Sequence, residues 1–165
     1  MTKLLLAIHI IAAIIAIGPI TVAASMFPAV ARRSLGGDSD GASAAHISLL
    51  HRICRVYAVI ALAVPVFGFA TAANLHVLGT PWLIASIGLT AVAALVLGAV
   101  ILPAQDRILL DLGAATATAA PAPTLTTTFD RKTIARLATC TGLFNLLWAT
   151  VTVLMILRPG STTGV

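Results

Sequence analysis

The chain has 165 residues, of which 59% are hydrophobic and only 9% are charged, and its mean hydropathy is +1.07. Soluble domains carry roughly 25% charged residues, so this composition excludes a soluble globular domain. The length allows one helical bundle in residues 1–165, with no second folded domain. The net charge of +5 does not indicate nucleic-acid binding, because Lys and Arg on a membrane protein mark its cytoplasmic loops.

Three long apolar runs lack Asp, Glu, Lys and Arg: residues 4–31, 56–105 and 137–157. A helical membrane crossing needs about 20 apolar residues, so the middle run is long enough for two crossings. The sequence therefore predicts an all-α polytopic membrane protein, a bundle of four transmembrane helices. The predicted spans are residues 4–30, 56–73, 82–102 and 137–157, with Pro103 ending the third. Two flexible cytoplasmic loops are predicted at residues 34–43 and 113–128.

The basic residues predict how the chain is oriented in the membrane. Of the ten Lys and Arg residues, only Lys3 and Arg158 do not flank the first or the third loop. Because basic residues accumulate on the cytoplasmic side, both termini and the 74–81 turn are predicted outside.

A small polar pocket near the membrane midplane is one candidate site. Prolines in two adjacent spans each remove a backbone donor and leave a carbonyl without its usual partner. Polar residues of the third and fourth spans are expected at the same depth. The candidate pocket consists of Gly18, Pro19, Pro65, Thr90, Asn145 and Trp148. The alternative is structural, because prolines are common in membrane helices and a buried amide can bond a neighbouring carbonyl.

A stripe of small side chains runs along the third predicted span. Ser86, Thr90, Ala94 and Gly98 recur at every fourth residue. Small residues allow two helix backbones to approach closely, so the stripe predicts a helix–helix contact. The default is packing inside the bundle, and the partner is the first span, the second span or another subunit.

Two of the four histidines, His9 and His76, are expected at the outer side of the membrane. A four-helix membrane bundle can hold haem between facing histidines, so these residues are the candidate ligands of a haem or metal. The simpler alternative is that His9 bonds a neighbouring group within the bundle. Apart from this pair, no cofactor is predicted.

Two blocks of sequence resemble a known family. The first contains Leu-Ala-Ile-His9 and Ala-Ile-Gly18-Pro19, and it leaves the membrane through Phe27-Pro28 toward Arg32-Arg33. The second contains His51-Arg52-Ile-Cys-Arg55-Val-Tyr57 and Val-Pro65-Val-Phe-Gly68. Both are similar to an uncharacterised bacterial family of predicted integral membrane proteins with about four spans and a domain of unknown function. The resemblance implies a bacterial plasma-membrane location and no known activity.

Three functions remain open from the sequence. No paired carboxylates, nucleophile–base pair or phosphate-binding loop is found, so an enzyme is not predicted. The preferred interpretation is a non-catalytic accessory or scaffold subunit that contacts lipid and other membrane subunits or a second copy. The alternatives are a redox subunit that holds haem or metal at His9 and His76, and a small carrier with a pocket near Pro19, Pro65 and Asn145.

Overall fold

The computed structural model describes residues 2–35, 41–117 and 127–160. These residues are almost entirely helical and include no strand. In chain order the helices are α1 (Thr2–Leu35), α2 (Gly41–Ala61), α3 (Ala63–Asn74), α4 (Pro81–Leu95), a π-helix (Val96–Ile101), α5 (Leu102–Ala117) and α6 (Thr127–Leu157).

Four of the helical stretches are long and apolar enough to cross a membrane, which confirms the predicted fold class. They are Lys3–Ser34, Ala44–Asn74, Pro81–Asp111 and Lys132–Leu157, and we call them the first to fourth spans. Many of their large apolar side chains face outward, as expected of a surface that contacts lipid. The helices also enter both predicted loops: α1 and α2 cover the ends of 34–43, and α5 and α6 cover the ends of 113–128. The rest of those loops lies outside the described residues.

The sequence predicts that the third span ends at Pro103, but in the structure it does not. It continues through this proline into α5, after widening into the π-helix. A proline inside a helix lacks an N–H and clashes with the carbonyl four residues earlier. The wider turn accommodates this defect: the N–H of Leu102 bonds to the carbonyl of Leu97, five residues back. Local π-helical turns of this kind often occur at functional sites.

The second span is interrupted at Leu62, between α2 and α3. Pro65 lies three residues further on and has no N–H to offer to the carbonyl of Ala61. The chain tightens there, and the N–H of Leu62 bonds to the carbonyl of Val59 over 3.2 Å. The kink therefore has a local cause in the sequence.

The first span lies at the centre of the packing. α1 packs along α2 and α3 on one side and along α6 on the other, and α6 in turn packs against α4 and the π-helix. The spans are therefore arranged in the order second, first, fourth, third. Consecutive in sequence, the second and third spans lie at opposite ends of this row.

The second and third spans meet only near their two ends. At the turn end, which carries the connection 75–80, Ala72 of α3 packs with Trp82 and Leu83 of α4. At the other end, which carries most of the arginines and which we call the basic end, α2 contacts α5. Elsewhere in the described residues their direct contacts are few, so the two spans separate between these ends.

His76 caps the second span through its backbone. Its φ is 55°, in the left-handed region where glycine is more usual. The N–H groups of His76 and Val77 bond to the carbonyls of Ala73 and Ala72, which is the Schellman pattern of helix termination. The His76 side chain is exposed.

Candidate functional site

A cleft lies where the second and third spans separate. Its volume is about 190 Å³. All four spans contribute to its walls, which consist of Ile17, Ala58, Ala61, Leu62, Pro65, Thr90, Ala94, Leu97, Gly98, Phe144 and Trp148. The kink at Leu62 and the widened π-helix both border it. We call this feature the lateral cleft, because it opens between two spans toward the surface that contacts lipid.

The structure divides the predicted midplane pocket among three places. Pro65, Thr90 and Trp148 lie together in the walls of the lateral cleft. Gly18 and Pro19 line a separate shallow groove on α1, next to α2.

Asn145, also assigned to that pocket, faces a neighbouring helix. Its Nδ2 donates a hydrogen bond of 3.0 Å to the hydroxyl of Ser25 on α1. Asn145 therefore ties α6 to α1.

The small-residue stripe has two different environments along its length. Ser86 is fully buried, as expected for a close helix contact. Thr90, Ala94 and Gly98 instead line the lateral cleft, and a Cβ atom added at Gly98 would meet nothing within 4 Å. Small side chains in this half of the stripe therefore leave a space unfilled.

Aromatic rings form the floor of the lateral cleft. Phe144 is buried and Trp148 is partly buried, with ring centroids 6.3 Å apart in an edge-to-face arrangement. The remaining walls are aliphatic apart from Thr90, and the indole N–H of Trp148 is buried without a hydrogen-bond partner among the described residues. This surface can bind an apolar molecule, and it presents no acid, base or nucleophile to one.

His9 is fixed against the second span. Its Nδ1 lies 2.9 Å from the carbonyl oxygen of Val64, and a carbonyl only accepts, so Nδ1 carries the proton. The ring rests on Gly68, where an added Cβ would lie 2.9 Å from its Cε1 atom. His9 thus bonds a neighbouring group within the bundle, which is the simpler of its two alternatives. The other ring nitrogen, Nε2, has no hydrogen-bond partner among the described residues.

The structure does not bring His76 to His9. His9 lies beside Gly68, and the helix rises a further ~9 Å from there to Asn74 before the turn that carries the exposed His76. Within the described part of the chain, no three His, Cys, Asp or Glu residues are grouped so that they could hold a metal ion. A haem or metal held at His9 stays a prediction, and it would rely on one positioned nitrogen.

A second polar site, at the basic end, was not predicted from the sequence. His51 of α2 has its Nδ1 atom 3.2 Å from Oε1 of Gln105 and its Nε2 atom 3.0 Å from Oδ1 of Asp106, both on α5. Gln105 also donates from Nε2 to Sγ of Cys54 over 3.7 Å. We call these four residues the polar cluster.

The polar cluster lies directly below the lateral cleft. Cys54 precedes the cleft residue Ala58 by four positions on the same helix, and residues four apart share a helix face. Gln105 ends the uncharged run 56–105, so sequence patterning treats it as a boundary. Only the structure shows that the side chain of Gln105 is fully buried between two spans.

Comparison with known proteins gives one result. Residues 3–159 match the family described as "Predicted integral membrane protein (DUF2269)". The chain belongs to this family. This membership confirms the resemblance to a family of predicted integral membrane proteins of unknown function, and it agrees with the four spans of the fold. No significant similarity connects the chain to a curated protein or to a solved structure.

Proposed function

We propose that this integral membrane protein is non-catalytic and binds a small apolar molecule, taken from the bilayer, in its lateral cleft. The observation that carries the proposal is the unfilled space between the second and third spans, walled by Phe144, Trp148 and the small residues Ala94 and Gly98. Protein interiors are otherwise packed to crystal-like density. Small side chains facing an open space on both sides of a cleft therefore point to an occupant.

The size of the cleft indicates a small molecule as the occupant. A dry apolar cavity of about 150 Å³ binds benzene, and this cleft, at about 190 Å³, has room for one ring with a short substituent. A transmembrane helix is about 10 Å across and is much too large. The scaffold interpretation needs a small-residue face that a partner helix can reach, whereas Ala94 and Gly98 border a recess. The geometry therefore favours the ligand-binding interpretation over the scaffold.

Filling the cleft from Gly98 should abolish binding while leaving the fold intact. We expect Gly98→Leu to remove saturable binding of bromobenzene, because its side chain would occupy the open space beside the added Cβ. Its thermal stability should stay within about 1 kcal/mol of wild type, since the added Cβ meets no atom within 4 Å and the cleft gives the rest of the side chain room. The protein contains two tryptophans, so Trp82→Phe leaves Trp148 as the single indole. Quenching of Trp148 fluorescence by the bromine atom then reports occupancy of the cleft.

The matched control is Gly88→Leu on the same span. Gly88 is exposed and also has nothing within 4 Å of an added Cβ, but it does not line the cleft. The Gly88→Leu variant should bind bromobenzene as the Trp82→Phe protein does. Equal quenching in the Gly98 and Gly88 variants, or quenching that rises without saturation in all of them, would contradict the proposal.

We also propose that the basic end faces the cytoplasm of a bacterial cell and that the protein lies in the plasma membrane. The support is the concentration of arginines at that end. A thiol reagent that cannot cross the membrane, added to whole cells, should label Gly79→Cys and leave Ala45→Cys unlabelled. Both positions are exposed, and wild-type protein with its native Cys54 and Cys140 gives the background. Labelling of Ala45→Cys but not of Gly79→Cys would show that the basic end faces outward and would contradict the proposed orientation.

A further inference from the structure

His51 has an oxygen acceptor beside each of its ring nitrogens. One is the amide oxygen of Gln105, which is fully buried, and the other is the carboxylate of Asp106, which is about half exposed. A neutral imidazole has one N–H group and satisfies one acceptor, whereas an imidazolium has two and satisfies both. With the Gln105 amide oriented as it is, Oε1 toward the ring, both bonds therefore form only when His51 is protonated.

Loss of that proton changes the cluster in two ways. Nδ1 becomes an acceptor that faces the acceptor oxygen of Gln105, so this bond is lost unless the amide rotates. The contact with Asp106 changes from an ion pair into a hydrogen bond to a neutral ring, which is weaker. Both bonds join α2 to α5.

The polar cluster lies where the second and third spans are in contact, so weaker bonds there affect how far the two spans separate. Between the second and third spans, direct helix contact in the described residues is concentrated at α2 and α5, and the lateral cleft begins about one turn above it. A weaker link there lets the two spans separate further. The cleft then opens more widely to the bilayer.

We propose that the polar cluster is a proton-controlled latch on the lateral cleft, closed when His51 is charged and loosened when it is neutral. The inference rests on the proposed function, because it concerns the regulation of that site. Histidine is the side chain that changes charge between pH 5 and 8. Asp106 is half exposed and connects the ring to water at the basic end, from which the proton comes and to which it returns.

Other charges around His51 do not bond to it in the described residues. α5 contributes Asp106, and its Arg107 is exposed. On the same helix as His51, Cys54 is reached through Gln105, and Arg52 and Arg55 are exposed. From α1 and α6 the buried side chains described near this end are uncharged, and they include the hydroxyl of Thr141 and the partly buried thiol of Cys140. The described cations of these two helices lie exposed on the surface, namely Arg32, Arg33, Lys132 and Arg136. Among the described side chains, Asp106 is thus the one charged partner of the ring.

The test measures how fast bromobenzene leaves the cleft, from the recovery of Trp148 fluorescence in purified Trp82→Phe protein in lipid nanodiscs. Because the latch is complete below the histidine range and is lost as pH rises through it, release should be faster at pH 8 than at pH 5. An ion pair with one half-exposed partner supports a change of about two- to fivefold. His51→Gln should remove the pH dependence. The control is His46→Gln on the same helix. The His46 ring is exposed and is not part of the polar cluster, so its removal should leave the pH dependence unchanged.

The outcomes separate the two proposals. Absence of saturable binding at every pH would refute the ligand site and the latch together. Saturable binding with a release rate independent of pH would refute the latch alone, and so would a pH dependence that persists in His51→Gln. If that variant does not fold, Asp106→Asn serves the same purpose, because it keeps the side-chain shape and removes the charge that holds the imidazolium.

Discussion

The Gly68→Leu variant is expected to be less stable than wild type by about 3 kcal/mol, in the upper part of the range for overpacking. The reason is the ring of His9, which would lie 2.9 Å from the first added carbon atom. The ring cannot easily move aside, because its Nδ1 atom is bonded to the carbonyl of Val64 on the same helix as Gly68. Unfolding by SDS in mixed micelles, followed by circular dichroism, gives the free-energy difference.

A second substitution should restore much of this loss. His9→Ala removes the ring, so the double variant with Gly68→Leu should recover by about 1–3 kcal/mol relative to the sum of the single changes. Gly142→Leu on α6 is the matched control, since an added Cβ there meets nothing within 4 Å. If Gly68→Leu and Gly142→Leu proved equally stable, His9 would not occupy the position described.

The Phe144→Ala variant is expected to lose about 1–3 kcal/mol of stability, less than the 3–5 kcal/mol typical of a soluble core. Lipid is as apolar as the interior of the bundle, so the transfer contribution vanishes and only lost packing remains. Phe144 is 1% exposed and packs edge-to-face on Trp148, so its removal also enlarges the lateral cleft. The same SDS titration measures the stability, and quenching by the bulkier 1-bromonaphthalene measures the larger space.

Leu143→Ala provides the comparison for this change. Leu143 lies next to Phe144 on α6 but is 47% exposed, toward lipid. Its truncation should cost well under 1 kcal/mol, because lipid chains fill the space that it leaves. A cost at Leu143 as large as at Phe144 would place the packed face of α6 elsewhere.

The sequence predicts the fold class and the four spans because both depend on one-dimensional quantities. Uncharged length sets the number of crossings, and proline positions indicate where helices are disturbed. Whether a proline interrupts its helix depends on the helices packed around it. Pro65 interrupts the second span at Leu62, whereas Pro19 lies inside an uninterrupted α1 and Pro103 inside an extended third span. Neighbouring spans can absorb a proline in a membrane helix, and they are not visible in sequence spacing.

The candidate site depends on which spans are neighbours, and sequence patterning does not supply this. Thr90, Pro65 and Trp148, grouped from the sequence by their expected depth, line one cleft. Asn145, grouped with them, instead bonds to Ser25 across the contact between α6 and α1. The partners of His51 and His9 lie more than fifty residues away in sequence. Such pairs follow no helical period, so only the packing of the helices reveals them.

The central place of α1 has a consequence for how the protein is made. Chains emerge N-terminus first, and membrane helices insert before they associate. Of the four spans, the first enters the bilayer before the others, and the second and fourth later pack on it, so it acts as a template for them. The first two spans can pair as soon as both are inserted, whereas the third packs mainly on α6 and must await the synthesis of that helix. Until then, the described contacts of the third span are those with the second, at the turn end and between α2 and α5, and a chain stalled before α6 would leave it exposed to the quality-control proteases of the membrane.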